Sequence, residues 1–355
     1  MKFKIINSFG ISGTARDFIN IENIENVGED LEGVNPAEIR ILGGGYNSIP
    51  LEHFDGTYIR VVDKKSSIKD LGIEIELTAN SGMAWDDLVA LSVSSGGKGL
   101  ENLSLIPGDV GTAPIHNIGA YGREVSEFIQ KVYCYDLDLR KPVIFDNSEC
   151  LFDYRSSIFK SRDRLLITKV VFRFRKRKLA DYFEVNKVRE FISLFIYSLT
   201  AVEFFKKGRI VKISFDRVRD ILKLDILSPK IKRFLVIKIR KKILLDPDVI
   251  GNCGCFFKCP IITEGDFQKI STVYPDVEYH KHGSSYKLSA CWLLRGAGWA
   301  GKEVGGVMPD VGKPVMLLNK TGASADSVRF VVKSIQEDIM NKFGIKIEPE
   351  VVLVE

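Results

Sequence analysis

Residues 106–124, IPGDVGTAPIHNIGAYGRE, are of types suited to holding a large polar ligand against the backbone. Gly108, Gly111, Gly119 and Gly122 carry no side chain, and Thr112, Ala113 and Ala120 carry little. Glycine admits positive φ and close approach, and a glycine-rich loop can turn successive N–H groups onto phosphate oxygens. A stretch of this kind standing alone is more often an ordinary surface loop, because short glycine motifs recur by chance. This one has a companion. In residues 41–48, ILGGGYNS, Gly43, Gly44 and Gly45 follow an apolar run that reads as a buried strand. Two such loops point to an elongated dinucleotide.

Other reactive side chains lie further along. Tyr154, Arg155 and Lys160 crowd into LFDYRSSIFKS (151–161), where strand-edge positions are their commoner use. In DPDVIGNCGCFFKCP (246–260) a thiol, Cys255, stands between Gly254 and Phe256, where the backbone is free to approach a ligand. Cys253, Cys255 and Cys259 form no metal signature, lacking a paired C-x-x-C and a nearby His. Glu348 precedes Pro349 near the C-terminus, so its carboxylate is expected to break a strand and point into a cleft rather than solvent.

The elements that must position these groups follow from periodicity. TYIRVV (57–62), IEIELTANSG (73–82), FIQKVYCYDLD (128–138) and LLITKVVFRFR (165–175) read as strands. Trp85, Leu88, Val89 and Ser92 recur at helical spacing, with Asp86 and Asp87 in the first turn, where the helix dipole favours negative charge. Val328, Val332, Ile335, Ile339 and Phe343 predict an amphipathic helix, with 345–354 as a partner strand closing the chain. Residues 177–242 read as amphipathic helices without a chemical motif. The sum is an α+β protein.

A chain of 355 residues, 45% hydrophobic, can bury more than one core. No run of about eighteen apolar residues occurs, and MKFKIINSFG lacks a signal peptide's apolar stretch, so a cytoplasmic protein is expected. Six cysteines are too few for a disulfide scaffold of this length. The net charge is +5, with basic runs RFRKRK (173–178) and KIRKK (238–242). Without a nucleic-acid module these read as a solvated basic face that attracts anionic ligands.

Taken together, ILGGGYNS, residues 99–125 from GLENLSLIPGDV onward, CLFDYRSSIFK (150–160), DPDVIGNCGCFFKCP, KLSACWLL (287–294), EVGGV (303–307) and KFGIKIEPEV (342–351) resemble one family from end to end, in its order. It is the UDP-N-acetylenolpyruvoylglucosamine reductases, flavoenzymes of peptidoglycan precursor synthesis with the vanillyl-alcohol-oxidase type of FAD-binding fold. The resemblance implies a two-part FAD-binding domain at 1–175 (subdomains about 1–65 and 66–175), a basic connecting segment at 176–244 and a substrate-binding domain at 245–355. It implies non-covalent FAD held by Gly43, Gly44, Gly45, Tyr46, Asn47 and Ser48, and by Pro107, Gly108, Gly111, Thr112, Ala113, Asn117, Ile118, Gly119 and Gly122. NADPH would be the co-substrate. The enolpyruvyl nucleotide sugar would take a hydride from FAD N5 and a proton from Cys255, which stands where most members have serine. Arg155 and Glu348 match charge-stabilising positions, and Tyr121, Tyr154, Lys242 and Cys259 match substrate-binding ones. The implied partners are small molecules, with neither nucleic acid nor membrane, and the implied state is a monomer.

Some positions depart from the family pattern. Cys259 replaces an asparagine, the lysine of KLPDP falls to Lys242 or is lost to Ile243, MPDVGKP (308–314) is unusual, and the tyrosine that some members bring over the substrate has only Tyr182 or Phe215 as counterparts. Two rivals follow: a same-fold flavin reductase for another unsaturated nucleotide sugar, and a flavin-binding protein without turnover.

Overall fold

The computed structural model describes residues 2–11, 13–176 and 228–354. The expectations for 177–227, with Tyr182 and Phe215 among them, lie outside the described residues. The chain divides into two units, one of Met1–Ile19, Gly33–Arg60 and Leu244–Glu355, the other of Asn20–Glu32 and Val61–Ile243. Residues 1–19 and 33–60 thus group with 244–355. Such grouping rests on contacts remote in sequence, which local patterns do not encode.

The second unit is built on a five-stranded antiparallel sheet, ordered Lys141–Asp146, Ile129–Asp136, Leu165–Arg175, Glu74–Asn80, Ser66–Asp70. The side-chain period of two decides its faces. Val170, Phe172 and Phe174 pair with Ala79, Leu77 and Ile75 in register, and all six are buried. Arg173 and Arg175 alternate outward, and Arg173 meets Glu76 at 2.9 Å. The arginines in the described part of the RFRKRK run therefore lie on the polar face of a strand.

The helix Trp85–Ser94 covers the sheet's apolar face with Trp85, Leu88, Val89 and Val93. Its N-terminus also fixes the chain ahead of the second glycine-rich loop. Trp85 Nε1 donates to Leu103 O at 2.8 Å, Trp85 N to Gly108 O at 2.9 Å, and the Asp86 carboxylate accepts from Leu105 N at 2.7 Å.

The helix Pro229–Ile243 belongs to the same unit; Lys238, Lys241 and Lys242 of the KIRKK run are exposed, whereas Lys232 and Arg233 ahead of the run turn inward. Val236 is fully buried, Lys232 lies 3.8 Å from Glu101 with both side chains buried, and Arg233 grips Asp86 at 2.7 and 2.8 Å. Burial opposes charge on Asp86, yet the Arg233 bonds outweigh it and hold the carboxyl below its ordinary pKa. Lys232 and Arg233 turn inward because Glu101 and Asp86 meet them there.

In the first unit, Gly251–Cys255, Met316–Asn319 and Val307–Pro309 form one antiparallel sheet. The helix Ala325–Phe343 packs Val328, Val331, Val332, Ile335 and Ile339 into a core with Phe256, Phe257, Leu288 and Trp299. Ser324 caps it by accepting from Ser327 N, and Gly344 ends it in the left-handed region at φ 67°. The closing strand is shorter than expected. Only Val352–Val354 is strand, parallel to Ser48–Pro50, because the residues before it bond elsewhere: Glu350 N donates to Phe256 O at 2.7 Å.

Candidate active site

The second unit gathers one set of the predicted residues. After Pro107 the chain turns through Val110–Thr112 and returns as a short hairpin, Gly119–Ala120 against Arg123–Glu124, with Tyr121 and Gly122 at its tip. The N–H groups of Val110, Gly111, Thr112, Ala113, Asn117 and Ile118 all donate to protein carbonyls. These residues shape the loop, and the phosphate donors expected of it must come from its other positions.

Asn117 is the knot of this loop. It is buried, with φ 41°, and its Nδ2 donates to Glu124 Oε2 at 2.9 Å and to Asp153 O at 3.1 Å, while Oδ1 accepts from Ser126 N. Asp153 begins a tight turn in which Asp153 and Ser156 exchange backbone bonds, leaving Tyr154 and Arg155 at its tip. Arg155 sits at φ 53°, a conformation that costs a side-chain-bearing residue about 1 kcal/mol or more. Its guanidinium offsets this by donating to Gly119 O at 2.8 Å and Asn117 O at 3.4 Å. A Cβ on Gly119 would stand 3.1 Å from Arg155 Nη1 and 2.8 Å from Arg123 O, so glycine is required for the approach. Arg155 and the loop are thus brought together, and the expected strand-edge reading of Tyr154 and Arg155 gives way to a turn.

Tyr121 is half-buried at φ 51°, and its carbonyl accepts from Asn102 Nδ2 at 3.1 Å. Burial raises its phenol pKa, opposed by Arg240, which hydrogen-bonds the hydroxyl. Asn102 is buried, and its Oδ1 has no hydrogen-bond partner among the described residues. Lys242 is exposed in the last turn of Pro229–Ile243. Sequence reasoning missed Asn102 and Arg240; the signal for Arg240 was its helical spacing from Lys232, Arg233 and Val236.

The first unit gathers the other set. Residues 43–48 leave the strand Ile39–Ile41, which pairs parallel with His53–Val61. Gly45 has φ 73°, and a Cβ there would stand 2.5 Å from Ile6 O, so this glycine serves the loop's own packing. Asn47 links the loop to the C-terminal segment, donating from Nδ2 to Glu350 O at 3.1 Å and accepting from Val352 N at 2.9 Å.

Cys255 ends the strand Gly251–Cys255 after a register slip that begins at Asn252, and it pairs with Met316. The residue as a whole is exposed, yet protein surrounds its thiol closely enough that desolvation pushes it up to about 12, with Glu350, Cys291 and Cys259 adding and Lys313 opposing. The resting group is the protonated thiol. Cys253 is likewise pushed up to about 12 by burial, opposed by the Ser8 hydroxyl, which meets its Sγ at 3.5 Å. Cys259 is half-buried against the core.

The segment carrying Cys255 and Cys259 runs beside the one carrying Glu348. Lys258 N donates to Glu348 O at 2.9 Å, and Phe257 bridges Pro349. The Glu348 carboxylate does not avoid solvent as expected. It is 51% exposed, drawn out by Lys258 and Lys346, each at 3.3 Å, which hold its pKa below the ordinary value. Lys258 was not foreseen as a site residue, although it stands within GCFFKCP. Among the described residues, no group of His, Cys, Asp or Glu side chains could hold a metal ion, and no helix is long and apolar enough to cross a membrane.

Residues 33–138 match the family model of an FAD-binding domain, which together with the α+β architecture defines a flavin-binding protein class. Residues 246–354 match the model described as the UDP-N-acetylenolpyruvoylglucosamine reductase C-terminal domain. Curated proteins named UDP-N-acetylenolpyruvoylglucosamine reductase are similar over nearly the whole chain. The one from Flavobacterium johnsoniae is 31% identical, covering 98% of this chain and 96% of its own, and the one from Alcanivorax borkumensis is 33% identical, covering 98% and 94%. The chain belongs to this family. In fold, the reductase structure from Thermus caldophilus superposes with a TM-score of 0.63 at 19% identity, covering 100% of this chain and 99% of its own.

Proposed function

We propose that the protein reduces the enolpyruvyl group of UDP-N-acetylglucosamine enolpyruvate to the lactyl ether of UDP-N-acetylmuramate, with NADPH as the reductant and FAD as the cofactor. Family membership supports the reaction. The observation that carries the site is the Arg155 guanidinium held against the carbonyls of Asn117 and Gly119 in the glycine-rich loop.

The residues present fit FAD. Asn102 Oδ1 is a buried acceptor without a partner among the described residues, so a ligand donor can satisfy it, and Tyr121 beside it is fixed by the same side chain. The cofactor would be held by 43–48 and by Pro107, Gly108, Gly111, Thr112, Ala113, Asn117, Ile118, Gly119 and Gly122. When bound, FAD supplies a two-electron carrier between NADPH and the vinyl carbon of the substrate.

The chain's own residues manage charge and a proton. A new C–H bond at the vinyl carbon leaves negative charge on the neighbouring carbon and its carboxylate. Arg155 stabilises that charge, pre-aligned by its bonds to the loop. Cys255 breaks its S–H bond and protonates the carbon, and solvent returns a proton to the thiolate. A carbanion is a far stronger base than a thiolate, so transfer stays downhill even from a raised thiol. Tyr121, Tyr154, Lys242 and Cys259 contact the nucleotide sugar. Glu348 is ionised and is no acid at neutral pH; its part is to fix the Lys258 ammonium.

Two expected results follow. The recombinant protein is yellow, with one FAD per chain released on denaturation, and anaerobic NADPH-reduced protein regains its flavin absorbance on mixing with the enolpyruvyl nucleotide. Colourless protein, or reduced protein that stays bleached with this acceptor, overturns the reading. Glu348→Gln slows that recovery about tenfold, the value of one hydrogen bond to a charged group, while bleaching by NADPH is unchanged. An unchanged recovery rate in stopped-flow absorbance removes Glu348 from the mechanism.

A further inference from the structure

The helix Pro229–Ile243 presents Lys232, Arg233, Val236 and Arg240 at spacings that place them on one side. The first two anchor the helix, Lys232 at Glu101 and Arg233 at Asp86, and Val236 is fully buried between them and Arg240. Arg240, one turn on, meets the hydroxyl of Tyr121.

Tyr121 cannot follow or evade it. Its backbone is left-handed at φ 51°, its carbonyl accepts from Asn102, and the strands Gly119–Ala120 and Arg123–Glu124 clamp it on either side. Arginine has donors and no acceptor, so in this contact the phenol oxygen accepts and the tyrosine O–H is left to point elsewhere. A cation behind a phenol also polarises its O–H and strengthens it as a donor. The pair is a fixed donor with a positive charge at its back, suited to an anionic oxygen.

We propose that Arg240 is a positioning residue for substrate binding, orienting the Tyr121 hydroxyl as a donor to an anionic oxygen of the nucleotide sugar. The inference rests on the reading in which Tyr121 contacts that substrate. The oxygen belongs either to the diphosphate or to the enolpyruvyl carboxylate, and UDP, which has only the former, separates the two.

The test uses full-length, FAD-loaded protein with Tyr121→Phe, Arg240→Met, the double variant and Arg233→Met. Tyr121→Phe and Arg240→Met are each expected to raise the KM for the enolpyruvyl nucleotide roughly tenfold to a hundredfold, with reduction by NADPH unchanged. The double variant is no worse than the weaker single one, because both remove one contact. Arg233→Met loosens the same helix at Asp86 without touching Tyr121, so it lowers Tm and leaves KM alone. Where Arg240→Met does not fold, Arg240→Lys replaces it; it keeps the charge, loses the planar fork and raises KM severalfold. UDP inhibition weakened in parallel with KM assigns the oxygen to the diphosphate, and UDP inhibition unchanged assigns it to the carboxylate; either supports the proposal. A wild-type KM in the Arg240 variant, losses that multiply in the double variant, or an equal KM rise in Arg233→Met overturns it. If Tyr121→Phe itself is silent, the underlying assignment of Tyr121 fails first, and the proposal with it.

Discussion

Arg155→Ala is expected to slow recovery of flavin absorbance by the enolpyruvyl substrate on the order of a hundredfold or more, the cost of losing one preorganised charge-stabilising donor. Bleaching by NADPH proceeds at close to the wild-type rate, because that step builds no charge on the substrate. Arg155→Lys tests the geometry. It keeps the charge but cannot span both Gly119 O and Asn117 O, which the guanidinium meets at 2.8 and 3.4 Å, so it recovers only part of the rate. Alanine keeps the Cβ, and with it the left-handed strain at position 155, while losing the two carbonyl bonds that offset it, so Tm falls modestly and Arg155→Gly, which removes the strain, restores part of that loss. Equal losses in the two half-reactions, measured by single-turnover stopped flow, mean a damaged loop and remove Arg155 from the chemistry.

How far these residues could be read from the sequence depended on how local their determinants are. Leu165–Arg175 was legible to the residue because Phe172 and Phe174 alternate with arginines, and that alternation alone fixes the two faces of a sheet. Ala325–Phe343 was legible because its apolar stripe recurs at helical spacing over its whole length. The turn at Tyr154–Arg155 was not, since a left-handed arginine is set by carbonyls more than thirty residues away. Glu348 was misjudged for a related reason: Lys258, ninety positions distant, decides where its carboxylate goes. The inward turn of Lys232 and Arg233 was hidden because a basic side chain looks the same in sequence whether water or a buried carboxylate meets it. The site's chemistry was legible mainly through family resemblance. The glycines gave the loops' positions but not their cause, since Gly45 and Gly119 are required by Ile6, Arg123 and Arg155.

Cys255 is where this chain departs from the serine of most of its relatives, and it carries the largest expected effect. Cys255→Ala abolishes recovery of flavin absorbance by the substrate, with bleaching by NADPH intact and FAD still bound. Cys255→Ser retains measurable activity, since a hydroxyl at the same place can still donate. The structure adds a pH signature. An ordinary thiol near 8.5 would lose its proton, and the rate with it, above about pH 9. Desolvation pushes this thiol up to about 12, so the rate of the second half-reaction holds level from about pH 7 to pH 10. The same shift keeps thiolate scarce, and iodoacetamide therefore modifies Cys255 slowly at neutral pH even though the residue is exposed. Cys253 is the internal control. Its thiol, also pushed up to about 12, faces the Ser8 hydroxyl, so Cys253→Ala leaves proton transfer unaffected. A Cys255→Ala protein that recovers its absorbance at the wild-type rate ends the assignment of the thiol as proton donor. A rate that falls with an apparent pKa near 8.5 in wild type but not in Cys255→Ser keeps the donor but overturns the desolvated environment described for it.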